Sequence, residues 1–217
     1  MMQYVYQKFT FAEQLKINSQ KFVKFSLRLQ QAYRDNPYHS SIHAADVVQN
    51  VYYYLNEGGA YEKCKITTLD LAALFISSAA HDVDHPGNNN VFEQKKRSKL
   101  ATLYNDVSVL ENHHAATLFF LLEEEQCNIL ENVKGDDYSK IRKYMIDNIL
   151  YTDMSKHFLF TAELKGLPGK EDYDIAGKHK PDVMKALVHA ADIGNPARPF
   201  DLCKEWALRI LSEFFAQ

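Results

Sequence analysis

The chain has 217 residues, of which 46% are hydrophobic and 24% are charged, a composition typical of one globular domain with a buried core. Its formal net charge of -3 at pH 7 leaves no broad basic surface, so binding to nucleic acid or to an anionic membrane is disfavoured. The 3 cysteines are far apart and form no CxxC pattern, which argues against a disulfide framework and against a thiolate zinc site.

No segment predicts a membrane span or an export signal. The longest nearly apolar stretch, from Leu71 to Ala80, is too short to cross a bilayer and contains two serines. The first residues, MMQYVYQKFT, lack the basic-then-apolar order of a signal peptide. We therefore expect a cytoplasmic protein.

Apolar residues recur at intervals of three and four along most of the chain, which predicts an all-α, compact multi-helix fold. The first long helix carries one stripe made of Asn18, Phe22, Phe25, Leu29 and Ala32. This helix is predicted to end near Pro37. The next begins almost at once and stops at Gly58-Gly59.

A third helix is predicted from Thr67 or Thr68 to Ala80, before Pro86-Gly87 breaks the chain. A polar turn follows. Ser108 precedes Glu111 by three residues, as in a capping box, and opens a helix that runs through Leu122.

Another helix is predicted around Ile141 to Ile149, followed by a loop over 165–181 and by helices over 182–192 and 201–215. The last helix has an apolar stripe of Leu202, Trp206, Ile210 and Phe214. Without repeats or a shift in composition, residues 1–217 are predicted to form a single domain.

Histidines and carboxylates cluster at three places in the sequence. His39 and His43 are four residues apart, so they share a face if residues 39 to 43 are helical. The string HDVDHPG places His81, Asp82, Asp84 and His85 at the end of an apolar helix. Asp192 lies on another apolar helix, where a carboxylate needs solvent or a cation.

Together, His43, His81, Asp82 and Asp192 offer two imidazoles and two carboxylates, which suit zinc or a similar divalent ion. A carboxylate such as Asp82 can bridge two ions, an arrangement suited to the hydrolysis of phosphate esters.

His39 is left over from this set and titrates near neutrality, so it is the predicted general acid. Glu111 is predicted either to orient that imidazole or to bind water beside the metals, and its role in the capping box has equal weight. Taken singly, His157, His179 and His189 are interpreted as hydrogen-bonded core residues, although His189 also suits a place beside the metal ligands.

The order H, HD, D on a helical background resembles the HD superfamily of metal-dependent phosphohydrolases. Five longer strings are more specific: YHSSIHAADVVQN, AAHDVDHPGNNNVF, SVLENHH, TDMSKHF and HAADIGNPARP. In this order they resemble the catalytic domain of class I cyclic nucleotide phosphodiesterases, from about residue 36 to Gln217.

The resemblance implies hydrolysis of the 3′ ester of a cyclic nucleotide to the 5′-monophosphate. It implies Zn²⁺ on His43, His81, Asp82 and Asp192, and Mg²⁺ or Mn²⁺ at a second site that Asp82 also reaches. It implies that His39 donates a proton to O3′. Further implied roles fall to His85, Glu111 and Thr152 around water or phosphate, and to Tyr38 and Asn195 in the nucleotide pocket.

The sequence departs from the family pattern at two places. Ser40 stands where the family usually has Asn, a change that we expect to be tolerated. Family domains also continue past EFFAQ into helices with a base-binding glutamine and phenylalanine, so we expect a C-terminally incomplete domain without its regulatory modules. The likeness of the HAADVVQ and Asn195 regions favours cAMP slightly over cGMP.

Two alternatives stay open at this stage. One is a different HD-type phosphohydrolase acting on other phosphate esters. The other is a non-catalytic, metal-bound helical fragment that binds a cyclic nucleotide without turning it over.

Overall fold

The computed structural model describes residues 1–217, and its regular elements are all helical. Thirteen α-helices follow one another, with four short 3-10 turns between them. The α-helices are α1 Met2–Lys8, α2 Phe11–Gln14, α3 Ser19–Ala32, α4 Ser41–Asn56, α5 Ala60–Lys63, α6 Thr68–Ala80, α7 Asn90–Lys95, α8 Lys99–Leu103, α9 Val109–Glu123, α10 Gly135–Leu150, α11 His157–Gly166, α12 Lys180–Asp192 and α13 Phe200–Ala216. The predicted all-α class is confirmed.

Helix α6 forms the centre of the core. Every residue from Leu69 to Ala80 is buried, and α4 and α10 pack along the helix. Ser77 fits this buried position because it donates to the Ala73 carbonyl and accepts from Asn148 Nδ2 at 3.0 Å, whereas the Ser78 hydroxyl is buried without a hydrogen-bond partner. A helix that is apolar on all sides is expected to be buried, and its end then becomes a fixed point in the molecule.

Helix α12 packs against α4 and α10, so it lies in the same layer of the core. Its buried face includes Met184, Val188 and Ala191. As a result, the C-terminal ends of α6 and α12 approach the first turns of α4.

Two predicted helix boundaries are wrong. Helix α3 ends at Ala32, because Tyr33 is extended and the chain then crosses to α4 without helical structure. Asn18 is the N-cap of α3 and not part of its stripe, since its side-chain oxygen accepts from the backbone amides of Gln20 and Lys21.

The prediction missed the short helices, including α7 and α8 in the segment expected to be a polar turn. Each of these two has a capping side chain: Asn89 accepts from the amide of Phe92, and Ser98 accepts from the amide of Ala101. Helices this short span fewer than two turns, so their apolar pattern does not repeat and periodicity alone does not reveal them. The predicted loop over 165–181 is largely confirmed, because α11 ends at Gly166 and α12 begins at Lys180.

Helix α13 is present as predicted, but its apolar stripe is only partly covered. Leu202 and Phe214 are exposed, whereas Trp206 and Ile210 are half-buried. The buried residue of this helix is Glu213, with 3% of its surface exposed. No helix combines the length and the apolarity needed to cross a membrane.

Candidate metal centre and catalytic cavity

Four side chains from separate parts of the chain converge at one point. His43 comes from the first turn of α4, His81 and Asp82 follow α6, and Asp192 is the last residue of α12. One ligand atom from each lies within 4.8 Å of all the others. Both histidines are fully buried.

The spacing of these atoms fits a shared cation. His43 Nε2 is 2.9 Å from Asp192 Oδ1 and 3.5 Å from Asp82 Oδ2. His81 Nε2 is 3.0 Å from Asp82 Oδ2, 3.2 Å from Asp192 Oδ1 and 3.3 Å from His43 Nε2. Ligands about 2.1 Å from one divalent ion are themselves about 3.0–3.4 Å apart, so the observed distances match the edges of a coordination polyhedron.

A hydrogen bond behind the cluster orients His81, whereas His43 Nδ1 is buried and has no hydrogen-bond partner. His81 Nδ1 donates to the carbonyl of Ser78 at 2.9 Å, so the Nε2 lone pair faces the cluster when the ring is neutral. Asp82 Oδ2 is buried and has no hydrogen-bond partner. Burial opposes ionisation, but the imidazoles, led by His81, hold the pKa of Asp82 and of Asp192 below the ordinary range. The residues present therefore fit a divalent metal ion.

Asp84, the other acid in HDVDHPG, faces away from this cluster. It lies in the left-handed region, at φ 59, and its carboxylate accepts from Arg34 Nε at 2.7 Å and from His113 Nε2 at 2.8 Å. The sequence suggested four potential ligands at this helix end, and the structure removes Asp84 from them.

His39 precedes α4, so the condition that residues 39 to 43 are all helical is not met. Ser40 is the N-cap of α4 and has extended backbone angles. The two imidazoles are neighbours nonetheless, because the turn before α4 places the ring centroids of His39 and His43 6.2 Å apart.

The partner of His39 is Glu213 on α13, a residue that the sequence analysis missed. Its carboxylate accepts from His39 Nδ1 and from the backbone amides of Tyr38 and His39, the last two at 3.1 Å. Burial lowers the pKa of His39, but the hydrogen bond to Glu213 and the charge of Asp82 outweigh it, so the pKa lies above its ordinary value. The Nε2 atom of a protonated His39 then carries the second proton.

His85 stacks on His39, with ring centroids 3.8 Å apart and an angle of 11° between the planes. Its Nδ1 accepts from the amide of Gly87 at 3.0 Å, which leaves the ring proton on Nε2. Burial, followed by the charge of His39, lowers the pKa of His85 well below its ordinary value. His85 is therefore a neutral hydrogen-bond donor.

His39, Asp82, His85 and Asp192 line one cavity of about 520 Å³. A family model described as 3'5'-cyclic nucleotide phosphodiesterase matches residues 38–217. The chain belongs to this family.

Similar proteins include "3',5'-cyclic-nucleotide phosphodiesterase regA" of Dictyostelium discoideum, which is 39% identical over 98% of this chain and 27% of its own length. "3',5'-cyclic-AMP phosphodiesterase 4C" of Rattus norvegicus is 40% identical over 93% of this chain and 39% of its own. The chain thus spans between about a quarter and two fifths of the length of these relatives.

Solved structures agree with this relationship. The phosphodiesterase domain of Salpingoeca rosetta rhodopsin phosphodiesterase superposes with a TM-score of 0.91, at 34% identity, over 98% of this chain and 65% of that one. The phosphodiesterase domain of the RhoPDE fusion protein from the same choanoflagellate superposes with a TM-score of 0.92, at 33% identity, over 100% of this chain and 68% of that one. The cyclic nucleotide phosphodiesterase family implies divalent metals, and the histidine and aspartate cluster provides the place for them.

In this phosphodiesterase fold, Glu111 and Thr152 line the same cavity. Glu111 accepts from Asn90 Nδ2 at 2.9 Å, and burial, followed by the charge of Asp153, raises its pKa to about 7. The predicted capping box is wrong: Ser108 is left-handed, caps no amide, and donates to Asp153 at 2.7 Å.

Tyr38 and Asn195 hydrogen-bond to each other, with the phenol donating to Asn195 Oδ1. Asn195 Nδ2 donates to Asp46 at 3.2 Å, so both the oxygen and the nitrogen of this side-chain amide are hydrogen-bonded to protein groups. Asn195 lines a smaller cavity of about 280 Å³ with Trp206 and Ile210, and Tyr38 borders both cavities.

The sequence analysis also missed His114 and Asn36. His114 Nδ1 donates to the carbonyl of Val83 at 2.7 Å, its Nε2 lies 3.8 Å from Asp82 Oδ1, and burial lowers its pKa to about 4. Asn36 Nδ2 donates to the carbonyls of His39 and His85 at 3.0 and 2.7 Å. The sequence contained a signal for His114, which is the second histidine in LENHH. It contained none for Asn36, whose role is visible only in the folded chain.

His189 lies on the face of α12 towards α11, where its Nε2 is 2.8 Å from His157 Nδ1. Its exposed fraction is 6%, and His179 is similarly buried, with Nδ1 accepting from the amide of Asp174. These contacts agree with the interpretation of both as hydrogen-bonded core residues.

Proposed function

We propose that this chain hydrolyses the 3′ ester of a 3',5'-cyclic nucleotide to give the 5′-monophosphate. The observation that carries the proposal is the pairing, in one cavity, of a cluster suited to divalent ions with His39, whose partner is the buried carboxylate of Glu213. Hydrolysis of a phosphodiester needs both parts, because charge develops on the phosphoryl oxygens while the leaving oxygen requires a proton.

His39 is the proposed proton donor. Glu213 occupies Nδ1, so the Nε2 proton is the one available to the cavity. As the P–O3′ bond breaks, O3′ takes this proton, and phosphorus gains an oxygen atom from water. A proton of that water then restores the charged imidazole, and the raised pKa of His39 favours this state near neutral pH.

The proposed metals are Zn²⁺ on His43, His81, Asp82 and Asp192, and Mg²⁺ or Mn²⁺ beside it. Two imidazoles favour zinc in the first position, whereas an oxygen-rich environment suits the harder ions. When bound, such ions neutralise phosphoryl oxygens and lower the pKa of water. Asp82 suits a bridging role because Oδ2 faces His81 while Oδ1 lies on the side of His114.

The other site residues are proposed to bind and orient the substrate. His85, as a neutral Nε2 donor, suits the phosphate or the water around it. The hydroxyl of Thr152 donates to the carbonyl of Ile149 at 2.8 Å, so it suits ordered water as an acceptor. Glu111 suits ordered water. Tyr38, which borders both cavities, suits the nucleoside, whereas Asn195 lines the smaller cavity and holds the Tyr38 hydroxyl in place. We assign all of residues 1–217 to one catalytic domain on the same grounds.

cAMP is proposed as the better substrate. The support is the similarity to a relative named as a cyclic-AMP phosphodiesterase. An assay of the purified chain with Zn²⁺ and Mg²⁺ tests both parts, using cAMP, cGMP and a phosphate monoester side by side. We expect 5′-AMP to form fastest. Release of phosphate from the monoester without opening of either cyclic nucleotide would contradict the proposal, and so would binding of cyclic nucleotide without turnover.

A further inference from the structure

A buried ion pair lies far from the metal ligands, between the first residues of α6 and α12. Lys180 Nζ donates to Asp70 Oδ2 at 3.1 Å and to the carbonyl of Lys65 at 2.8 Å. Asp70 is fully buried, and 8% of the surface of Lys180 is exposed. No step of the proposed hydrolysis uses either group.

The two helices that this pair joins also carry three of the four metal ligands. Helices α6 and α12 each contain 13 residues, and both lead at their C-terminal ends into the metal cluster. There His81 Nε2 and Asp192 Oδ1 are 3.2 Å apart. At a rise of about 1.5 Å per residue, the ion pair and the cluster are separated by about 17 Å along the helices.

Stability alone gives a poor account of this pair. A buried ion pair roughly offsets its own desolvation, and apolar residues of similar volume pack as well or better. Lys180 also lies at the N-terminus of its helix, where the helix dipole disfavours a positive charge. The pair does constrain how α12 is placed. The ammonium group of Lys180 donates to Asp70 on α6 and to the carbonyl of Lys65 before α6, so it restricts both the position and the rotation of α12.

We propose that Asp70 and Lys180 are positioning residues for the metal centre. The pair sets the register of α12 against α6 and thereby sets the distance between the Asp192 carboxylate and His81. Metal coordination tolerates deviations of only about 0.2 Å, whereas a helix that slides by one residue moves its end by about 1.5 Å. The inference rests on the metal centre of the proposed function, although it does not depend on the substrate.

The test is the affinity for Zn²⁺ of a double variant, Asp70→Asn with Lys180→Met. This variant leaves no buried charge, and the new amide oxygen still accepts from the amide of Thr67, as Asp70 Oδ2 does at 3.0 Å. We expect the metal-free variant to melt close to the parent temperature and to bind Zn²⁺ about tenfold more weakly, as do variants of residues that orient metal ligands.

Lys185→Met is the matched control. Lys185 lies on the same helix and its side chain is as buried as that of Lys180, at 11% exposed, but its carboxylate partner Asp182 belongs to α12 itself. We expect this variant to bind Zn²⁺ as the parent does. If the double variant does not fold, Lys180→Arg takes its place. It keeps the positive charge beside the buried Asp70, but the longer, planar guanidinium cannot place one donor where the ammonium lies between both acceptors, so Zn²⁺ binding is again expected to weaken.

Unchanged Zn²⁺ affinity in a folded variant overturns the positioning role, and so does an equal loss in the Lys185→Met control. Titration of the parent chain separates this inference from the proposed function. A parent that binds no Zn²⁺ contradicts the metal centre itself, whereas a parent that binds Zn²⁺ but opens no cyclic nucleotide contradicts only the proposed reaction.

Discussion

The metal side and the His39 side of the cavity are built in different ways. The metal ligands lie on helices or directly after them, at places that the core fixes. His39 instead lies in a non-helical segment, and Glu213, which is 174 residues away in the chain, holds it. The first arrangement leaves a mark in the sequence as polar residues on apolar helices, whereas the pairing of His39 with Glu213 forms only when the last helix packs.

Asp192→Ala is expected to have the largest effect, because it removes a metal ligand from a site with few others. We expect the affinity for Zn²⁺ to fall by more than about 100-fold, beyond the loss typical of residues that only orient ligands, and turnover to fall with it. Metal analysis after gel filtration measures this. Asp182→Ala on the same helix is the control, since that half-buried acid pairs with Lys185 within α12, and equal metal loss in the control would contradict the assignment.

His39→Ala separates the two sides of the cavity. We expect turnover to fall by about 100-fold to 10,000-fold, the usual contribution of a general acid, while Zn²⁺ remains bound. The measurements are kcat and the metal content of the same preparation. Loss of metal from this variant would place His39 among the ligands and refute its role as proton donor.

Glu213→Gln is expected to slow turnover by about tenfold to 100-fold with little change in KM, because the carboxylate orients His39 and favours its charged form. Removing that charge lowers the pKa of His39. A general acid works only while it is protonated, so the basic limb of the pH profile of kcat should move to lower pH.

Glu205→Gln provides the comparison on the same helix, since Glu205 is exposed and pairs with Arg209. An unmoved basic limb in Glu213→Gln, alongside a normal profile in this control, would show that another group sets the protonation of His39.

Glu111→Gln is expected to show its effect in the stability of the metal-free chain and not in the protonation of His39. The pKa of Glu111 is raised from 4.5 to about 7, chiefly by burial and then by Asp153. The folded chain therefore binds this proton more tightly than the unfolded chain, and the stability gained below pH 4.5 is lost as the pH rises through about 7.

In the parent, the free energy of unfolding should fall by at most about 3 kcal/mol between pH 4.5 and 7, and in the Glu111→Gln variant this fall should be absent. Urea denaturation at several pH values, with a chelator present, measures the difference. Parallel curves for parent and variant between pH 4.5 and 7 would rule out the raised pKa.

Long helices were predictable from the sequence because their apolar faces repeat over several turns. Helix α6 is the clearest case, since the pattern gave both its start near Thr67 and its end at Ala80. Shorter helices such as α7 were not predicted, because fewer than two turns do not repeat an apolar pattern. The spacing of His39 and His43 left open whether His39 is helical, because an interval of four residues does not by itself make a segment helical.

Within the site, the metal cluster was predictable because Asp192 and the HD pair are costly on apolar helices unless a cation is present. Glu213 had the same signal: it lies three residues after Ile210 and seven after Trp206, next to the apolar stripe of α13. It was overlooked because a single acid among phenylalanines near the end of a chain has no partner in the sequence. Asn36 had no signal at all, since it acts on backbone carbonyls.

Anomalous diffraction from crystals grown with Zn²⁺ provides the decisive measurement. The proposed site places a zinc peak about 2.1 Å from His43 Nε2 and His81 Nε2, with oxygens of Asp82 and Asp192 completing the ligand set and His39 unligated. A peak at another place, or one that includes His39 among its ligands, would contradict the assignment of metal ligands and proton donor.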